Sequence, residues 1–147
     1  MPRAPFQILV IPFHKNQNQI RYTIFRRSDN HHWQFIAGGG ETSESPLQAA
    51  VRELHEEAAI SPSTQLIALK SQADLPASIF SNTNWPANLK SIPEHTFAID
   101  ITNTPNITLS NEHSQYRSVD YQTALNLLYY PSNRTALREL DHLLIDC

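Results

Sequence analysis

The sequence predicts an α/β (α+β) protein, with a mixed sheet lying between helices. Two observations carry that prediction. Apolar segments of strand length recur between polar turns, and three other stretches place apolar residues at helical spacing. Because the two kinds of segment are interspersed along the chain, helices should cover the sheet on both sides. The 147 residues are the usual size of one domain, and no repeat, low-complexity tract or linker divides them. A single domain over 1–147 is therefore expected.

Phe6 to Phe13 (FQILVIPF) is a continuous apolar run and reads as a buried strand. HKNQNQ is a polar turn, and Gln19 to Arg27 (QIRYTIFRR) reads as the partner strand. Trp33 to Ala37 is a short apolar run that leads into Gly38, Gly39 and Gly40, read as flexible backbone. Ser45-Pro46 starts a helix: serine caps the free N–H groups, and proline is tolerated where its N–H would have no partner. The helix runs to about Ala58, and Pro62 blocks its continuation. Gln65 to Ala73 reads as a strand. From there to about Pro93, Pro76, Pro86, Pro93 and several Asn indicate a long loop. His95 to Thr102 and Gln115 to Asp120 read as further strands, and helices follow at about Tyr121 to Tyr129 and Asn133 to Leu144.

Composition narrows the function. A hydrophobic content of 40% with 17% charged residues is that of a globular chain. The net charge of −3 gives no basic excess for binding a nucleic acid duplex. No apolar run approaches the roughly 20 residues that span a membrane, and the N-terminus reads as a first strand rather than a signal peptide. The single cysteine, Cys147, excludes an internal disulfide and is compatible with the cytoplasm.

The segment after the glycines, GGGETSESPLQAAVRELHEEAAI, is the most acidic in the chain. On a helix, Leu47, Ala50, Val51, Leu54 and Ala58 share one side and should pack on the sheet. Glu53, Glu56 and Glu57 sit at i, i+3 and i+4 and share a polar face. Like charges at that spacing repel by a few tenths of a kcal/mol, so helix stability does not ask for them. Either the face is simply solvated, or a cation neutralises it. An all-oxygen set suits Mg²⁺ or Mn²⁺. Arg52 can hold a carboxylate through a planar charged pair, and Glu44 is placed to join the site or to cap the helix. His31, His32, His95 and His113 have no metal spacing and read as surface or loop residues. The glycine run is not GxGxxG, no GxxxxGK[ST] occurs, and no loop has EF-hand spacing.

Gly38, Glu44, Arg52, Glu53, Glu56 and Glu57, with Ala59-Ile60 at the end, resemble the signature box of the Nudix hydrolases. Two positions depart from the box. Ala59 stands where the family has glycine, which costs about 1 kcal/mol if that residue is left-handed. Ala37 stands where many members have glycine, and its carbonyl could still bind metal. FRRSDNHHWQF, LSNEHSQYRSVDY and SNRTALREL are similar to the dATP and dihydroneopterin-triphosphate pyrophosphohydrolases of the family.

The resemblance implies an α/β/α sandwich and Mg²⁺-dependent hydrolysis of a small phosphorylated substrate, an NDP-X compound. A triphosphate would give a monophosphate and pyrophosphate. It implies Glu53, Glu56 and Glu57 as metal ligands, with Glu44, the Ala37 carbonyl and Glu112 in support. Arg52 becomes an orienting group and Glu112 the acidic residue outside the box that takes a proton. Arg26 or Arg27 could meet a phosphate, or be surface charge. Trp85 could stack on a base or pterin, or pin its loop, whereas Trp33 reads as core. Many relatives of the family are dimers, so a homodimer stays open beside a monomer. ADP-ribose or a dinucleoside polyphosphate as substrate, and a nucleotide-sensing module without turnover, stay open beside this reading.

Overall fold

The structure, a computed structural model, describes residues 2–62, 64–81 and 83–145. Cys147 lies outside these. Strand β1 (Arg3–Asn16) is central, and its order of neighbours is set by both of its edges. On one edge it runs parallel to β6 (Ser91–Asp100), pairing from Gln7↔Glu94 to Phe13↔Asp100. The other edge is shared: residues 13–16 pair antiparallel with β2 (Gln19–Arg27), and residues 3–10 with β4 (Ile36–Glu41). Strand β3 (Trp33–Gln34) and β7 (His113–Val119) add to β2, and β5 (Ile67–Pro76) adds to β6. Among the described residues the result is a seven-stranded mixed sheet with three α-helices and one short 3-10 turn, Ala77–Ile79.

The alternation of side chains along β1 builds two cores from one apolar run. Ile8 and Val10 join Phe25 and Ile36 under helix α1 (Pro46–Ala58), packed on Ala49, Ala50, Leu54 and Ala58. Leu9, Ile11 and Phe13 face the other way, onto Ala124 and Leu128 at helix α2 (Tyr121–Leu127) and Leu137 and Leu140 of α3 (Pro131–Ile145). The Tyr22 hydroxyl donates to Asp141 at 2.6 Å and so ties α3 to the sheet.

Several sequence expectations shift. The glycine run is not flexible: it is strand β4, and none of its glycines has positive φ. Pro93 does not end a loop but lies inside β6, one position before the pairing with β1 begins, where its missing N–H leaves that ladder intact. Strand β1 is longer than residues 6–13, β5 is displaced toward Pro76, and β7 starts at His113. Leu47 and Val51 do not pack on the sheet; they are exposed, and the buried face of α1 is made of Ala49, Ala50, Leu54, Ala58, Glu53 and Glu57. Small alanines bring the helix close, and that rotation carries two carboxylates inward. Trp33 packs, half-buried, against the α3-side core, as expected of a core residue.

Candidate active site

The site forms where α1 crosses β4. Ser45 caps α1: its hydroxyl accepts the Gln48 N–H at 3.1 Å, and the Gln48 side chain accepts the Ser45 N–H at 2.9 Å. Glu44 therefore is not the helix cap. At the far end Ala59 is left-handed (φ 56°, ψ 34°), and its N–H donates to the His55 carbonyl at 3.0 Å. The helix between these fixed ends presents Glu53 and Glu57 to the sheet.

Glycine at 38 follows from that approach. A Cβ there would stand 2.2 Å from the Glu53 carboxyl carbon, so a larger residue would evict the side chain. Arg52 organises the neighbours. Its Nε donates to Glu44 at 2.7 Å and its Nη2 to the second Glu44 oxygen at 2.9 Å, a two-pronged pair. The remaining donors reach the Gly39 carbonyl at 2.8 Å, Glu53 at 2.9 Å and Glu56 at 3.2 Å. One guanidinium thus holds strand β4, the loop and three carboxylates in register. Glu56 itself is exposed.

Glu57 faces the other way. It accepts from the Ser110 hydroxyl at 3.0 Å, and its carboxylate meets that of Glu112, on the turn before β7. His113 Nδ1 lies 3.4 Å from Glu57, outside hydrogen-bond geometry, and His113 Nε2 is 3.3 Å from the Gln34 amide. His113 is not a surface residue: it is buried against Phe25, and burial lowers its pKa, which leaves it neutral. Burial raises Glu53 to about 7 against the opposing pull of Arg52. Burial, then the facing Glu112, raises Glu57 to about 7. Two buried carboxylates with too little positive charge around them are the electrostatic signature of the site.

A cleft of about 200 Å³ lies on the α3 side of the sheet, lined by Arg27, Ala37 and Gln34 among others; neither Glu53 nor Glu57 lines it. From its wall the Gln34 amide reaches His113, which lies 3.4 Å from Glu57, and Ala37 is followed in β4 by Gly38, which faces Glu53 on the other side of the sheet. Arg27 stands on its wall, held by Asp29 at 2.8 Å, whereas Arg26 does not line it. Trp85 is also absent from the wall. Its indole N–H donates to the Arg3 carbonyl at 3.0 Å and its ring meets Phe80 edge-on, so Trp85 pins its loop and Phe80 faces the cleft instead. Phe80, Gln34 and Asn133 come from separate elements that only the fold brings together, and no local sequence signal marks them. Among the described residues, no group of three or more His, Cys, Asp and Glu side chains stands in an arrangement that would hold a metal ion as it lies; Arg52 occupies Glu44, Glu53 and Glu56. No described helix is long and apolar enough to cross a membrane.

Comparison with known proteins agrees with this architecture. The sequence model of the NUDIX domain matches residues 6–140. The dihydroneopterin triphosphate diphosphatase of Escherichia coli K12 is 28% identical over 140 residues, 93% of this chain and 92% of the relative. A crystal structure of a NUDIX hydrolase from Listeria monocytogenes is 42% identical, with a TM-score of 0.87 over 97% of this chain and 96% of its own. The structure of the E. coli dihydroneopterin triphosphate pyrophosphohydrolase superposes with a TM-score of 0.79 at 24% identity, covering 99% of each chain.

Proposed function

The chain belongs to the NUDIX domain family and is a Nudix hydrolase, and from that premise we propose that it cleaves a diphosphate linkage in a nucleoside triphosphate or related NDP-X compound, with Mg²⁺. Products would be a monophosphate and pyrophosphate. The likeness in sequence to the E. coli relative favours dihydroneopterin triphosphate or a dATP-like substrate. The observation that carries the reading is the pair of buried carboxylates, Glu53 held by Arg52 and Glu57 by Ser110, on one helix.

The residues fit a divalent ion. The donors are all carboxylate oxygens, which suits Mg²⁺ or Mn²⁺. Glu57 and Glu112 press two carboxylates together, and the imidazole beside Glu57, His113, is buried with its pKa lowered. Such a pair lacks the positive charge that an ion would bring. Glu53 and Glu57 would hold it, with Glu112 and Glu56 completing the set and the Ala37 carbonyl in reserve. Bound there, Mg²⁺ would neutralise the polyphosphate, acidify a water and stabilise the leaving oxygen.

The chain supplies the rest. Arg52 keeps Glu44 and Glu53 in a fixed orientation and leaves Glu57 free toward Ser110 and Glu112. Glu112 is exposed, on the turn before β7, and is placed to take the proton from the attacking water. Arg27, on the cleft wall, meets a phosphate oxygen through its guanidinium. A screen of nucleoside triphosphates, dihydroneopterin triphosphate, ADP-ribose and dinucleoside polyphosphates with Mg²⁺ tests the reading. Pyrophosphate release from a triphosphate, lost with EDTA, is expected. Release of orthophosphate alone, or no turnover of any of these compounds, would reject it.

A further inference from the structure

The reaction outlined above leaves one buried carboxyl unused. Glu94 on β6 is 5% exposed and lies on the wall of the same cleft. Ser132 favours its charged form, and it has no ion-pair partner among the described residues. A second hollow of about 270 Å³ shares Glu94 and Ser132 with the cleft. Asn133 stands alongside. Its Oδ1 accepts the Phe35 N–H at 2.8 Å and its Nδ2 points to Ser132 Oγ at 3.4 Å, which fixes the amide. Phe80 and Tyr130 give the cleft aromatic walls. Burial raises the Glu94 pKa, and Ser132 offsets little of that cost.

On the reading that the substrate is a nucleotide-like triphosphate, we propose that Glu94 reads its heterocycle, accepting hydrogen bonds from the adjacent N–H and NH₂ of a 2-amino-4-oxopyrimidine edge, the edge common to guanine and the pterins. A carboxylate offers two acceptors side by side and matches two parallel N–H donors, as it does against a guanidinium. The adenine edge sets an NH₂ beside a ring nitrogen, so one carboxylate oxygen would face a lone pair. A site built to bond a donor discriminates strongly against a ring that lacks it, because its own buried group is left unpaired. A ring held at Glu94 would leave its phosphates within the same cleft as Ala37 and Arg27.

The test is binding of neopterin, guanosine and adenosine, without phosphate or metal, by NMR titration of the wild type and Glu94→Gln. Melting temperatures confirm that the variant is folded. The wild type is expected to favour neopterin and guanosine over adenosine by about tenfold or more, and the order of the first two separates pterin from purine. In Glu94→Gln the amide offers a donor beside an acceptor, so affinity for neopterin and guanosine should fall about tenfold while adenosine gains. A merely structural glutamate would not invert the preference. Equal binding of all three by the wild type, or an unchanged ratio in the variant, overturns the assignment; should the variant not fold, the wild-type ratio decides alone. Because no phosphate is involved, this outcome is independent of whether any triphosphate is hydrolysed.

Discussion

Replacing Glu57 by glutamine removes a charge that the metal-free fold holds at a cost. The carboxyl is 5% exposed, faces Glu112, and has a folded-state pKa raised from 4.5 to about 7. A raised acid pKa means that the folded protein resists ionisation which the unfolded chain accepts. Below pH 4.5 the group is protonated in both states and costs nothing. As pH rises toward 7 the unfolded chain ionises first, and stability falls; above 7 the full penalty is present. At about 1.4 kcal/mol per tenfold change in proton affinity the penalty is roughly 3 kcal/mol, and local relaxation reduces it to about half. Glutamine keeps the shape and the acceptor for Ser110 while carrying no charge. In EDTA at pH 8, Glu57→Gln should therefore melt about 3–6 °C above the wild type, and the difference should close by pH 4.5. Saturating Mg²⁺ should stabilise the wild type and not the variant, since an ion that binds only the native state raises its stability. Differential scanning fluorimetry over pH, with and without metal, measures all of this. A variant that melts at or below the wild type in EDTA at pH 8 would refute the electrostatic argument.

Gly38→Ala places a methyl group 2.2 Å from the Glu53 carboxyl carbon, so steady-state assays should show Mg²⁺-dependent turnover falling at least about tenfold, with circular dichroism of the fold retained. Glu112→Gln should depress kcat by about 10²-fold or more with little change in KM, if Glu112 takes the proton; an unchanged kcat moves the base elsewhere. Ala59→Gly relieves a left-handed alanine at φ 56° and should raise stability by about 1 kcal/mol in urea titration without altering turnover.

The sequence announces the ends of α1 more clearly than its orientation. Ser45-Pro46 marks the start, and the left-handed cost foreseen for Ala59 falls where the chain does turn left-handed. The apolar periodicity misleads over Leu47 and Val51, because it assumes that the most hydrophobic side chains face inward. Here the inward face includes Glu53 and Glu57, and spacing alone gives no sign that these carboxylates are buried. The three glycines look like flexible backbone from composition, yet their need is steric: the Glu53 carboxylate, the Arg3 guanidinium and the Phe6 ring each occupy the space of a missing Cβ. Prolines at 76 and 93 hide the ends of β5 and β6, since both lie at positions where a strand tolerates the lost N–H. Glu53, Glu57 and Arg52 are legible because one helix carries them. Gln34, Glu94 and Asn133 are not, because β3, β6 and α3 meet only once the sheet is assembled.

The account turns on whether Glu53 and Glu57 gather a divalent cation. Anomalous diffraction from crystals soaked in Mn²⁺ locates the ion directly. A peak within about 2.5 Å of carboxylate oxygens of both Glu53 and Glu57 is the predicted result; a peak elsewhere, with these two side chains left against Arg52 and Ser110, would contradict it.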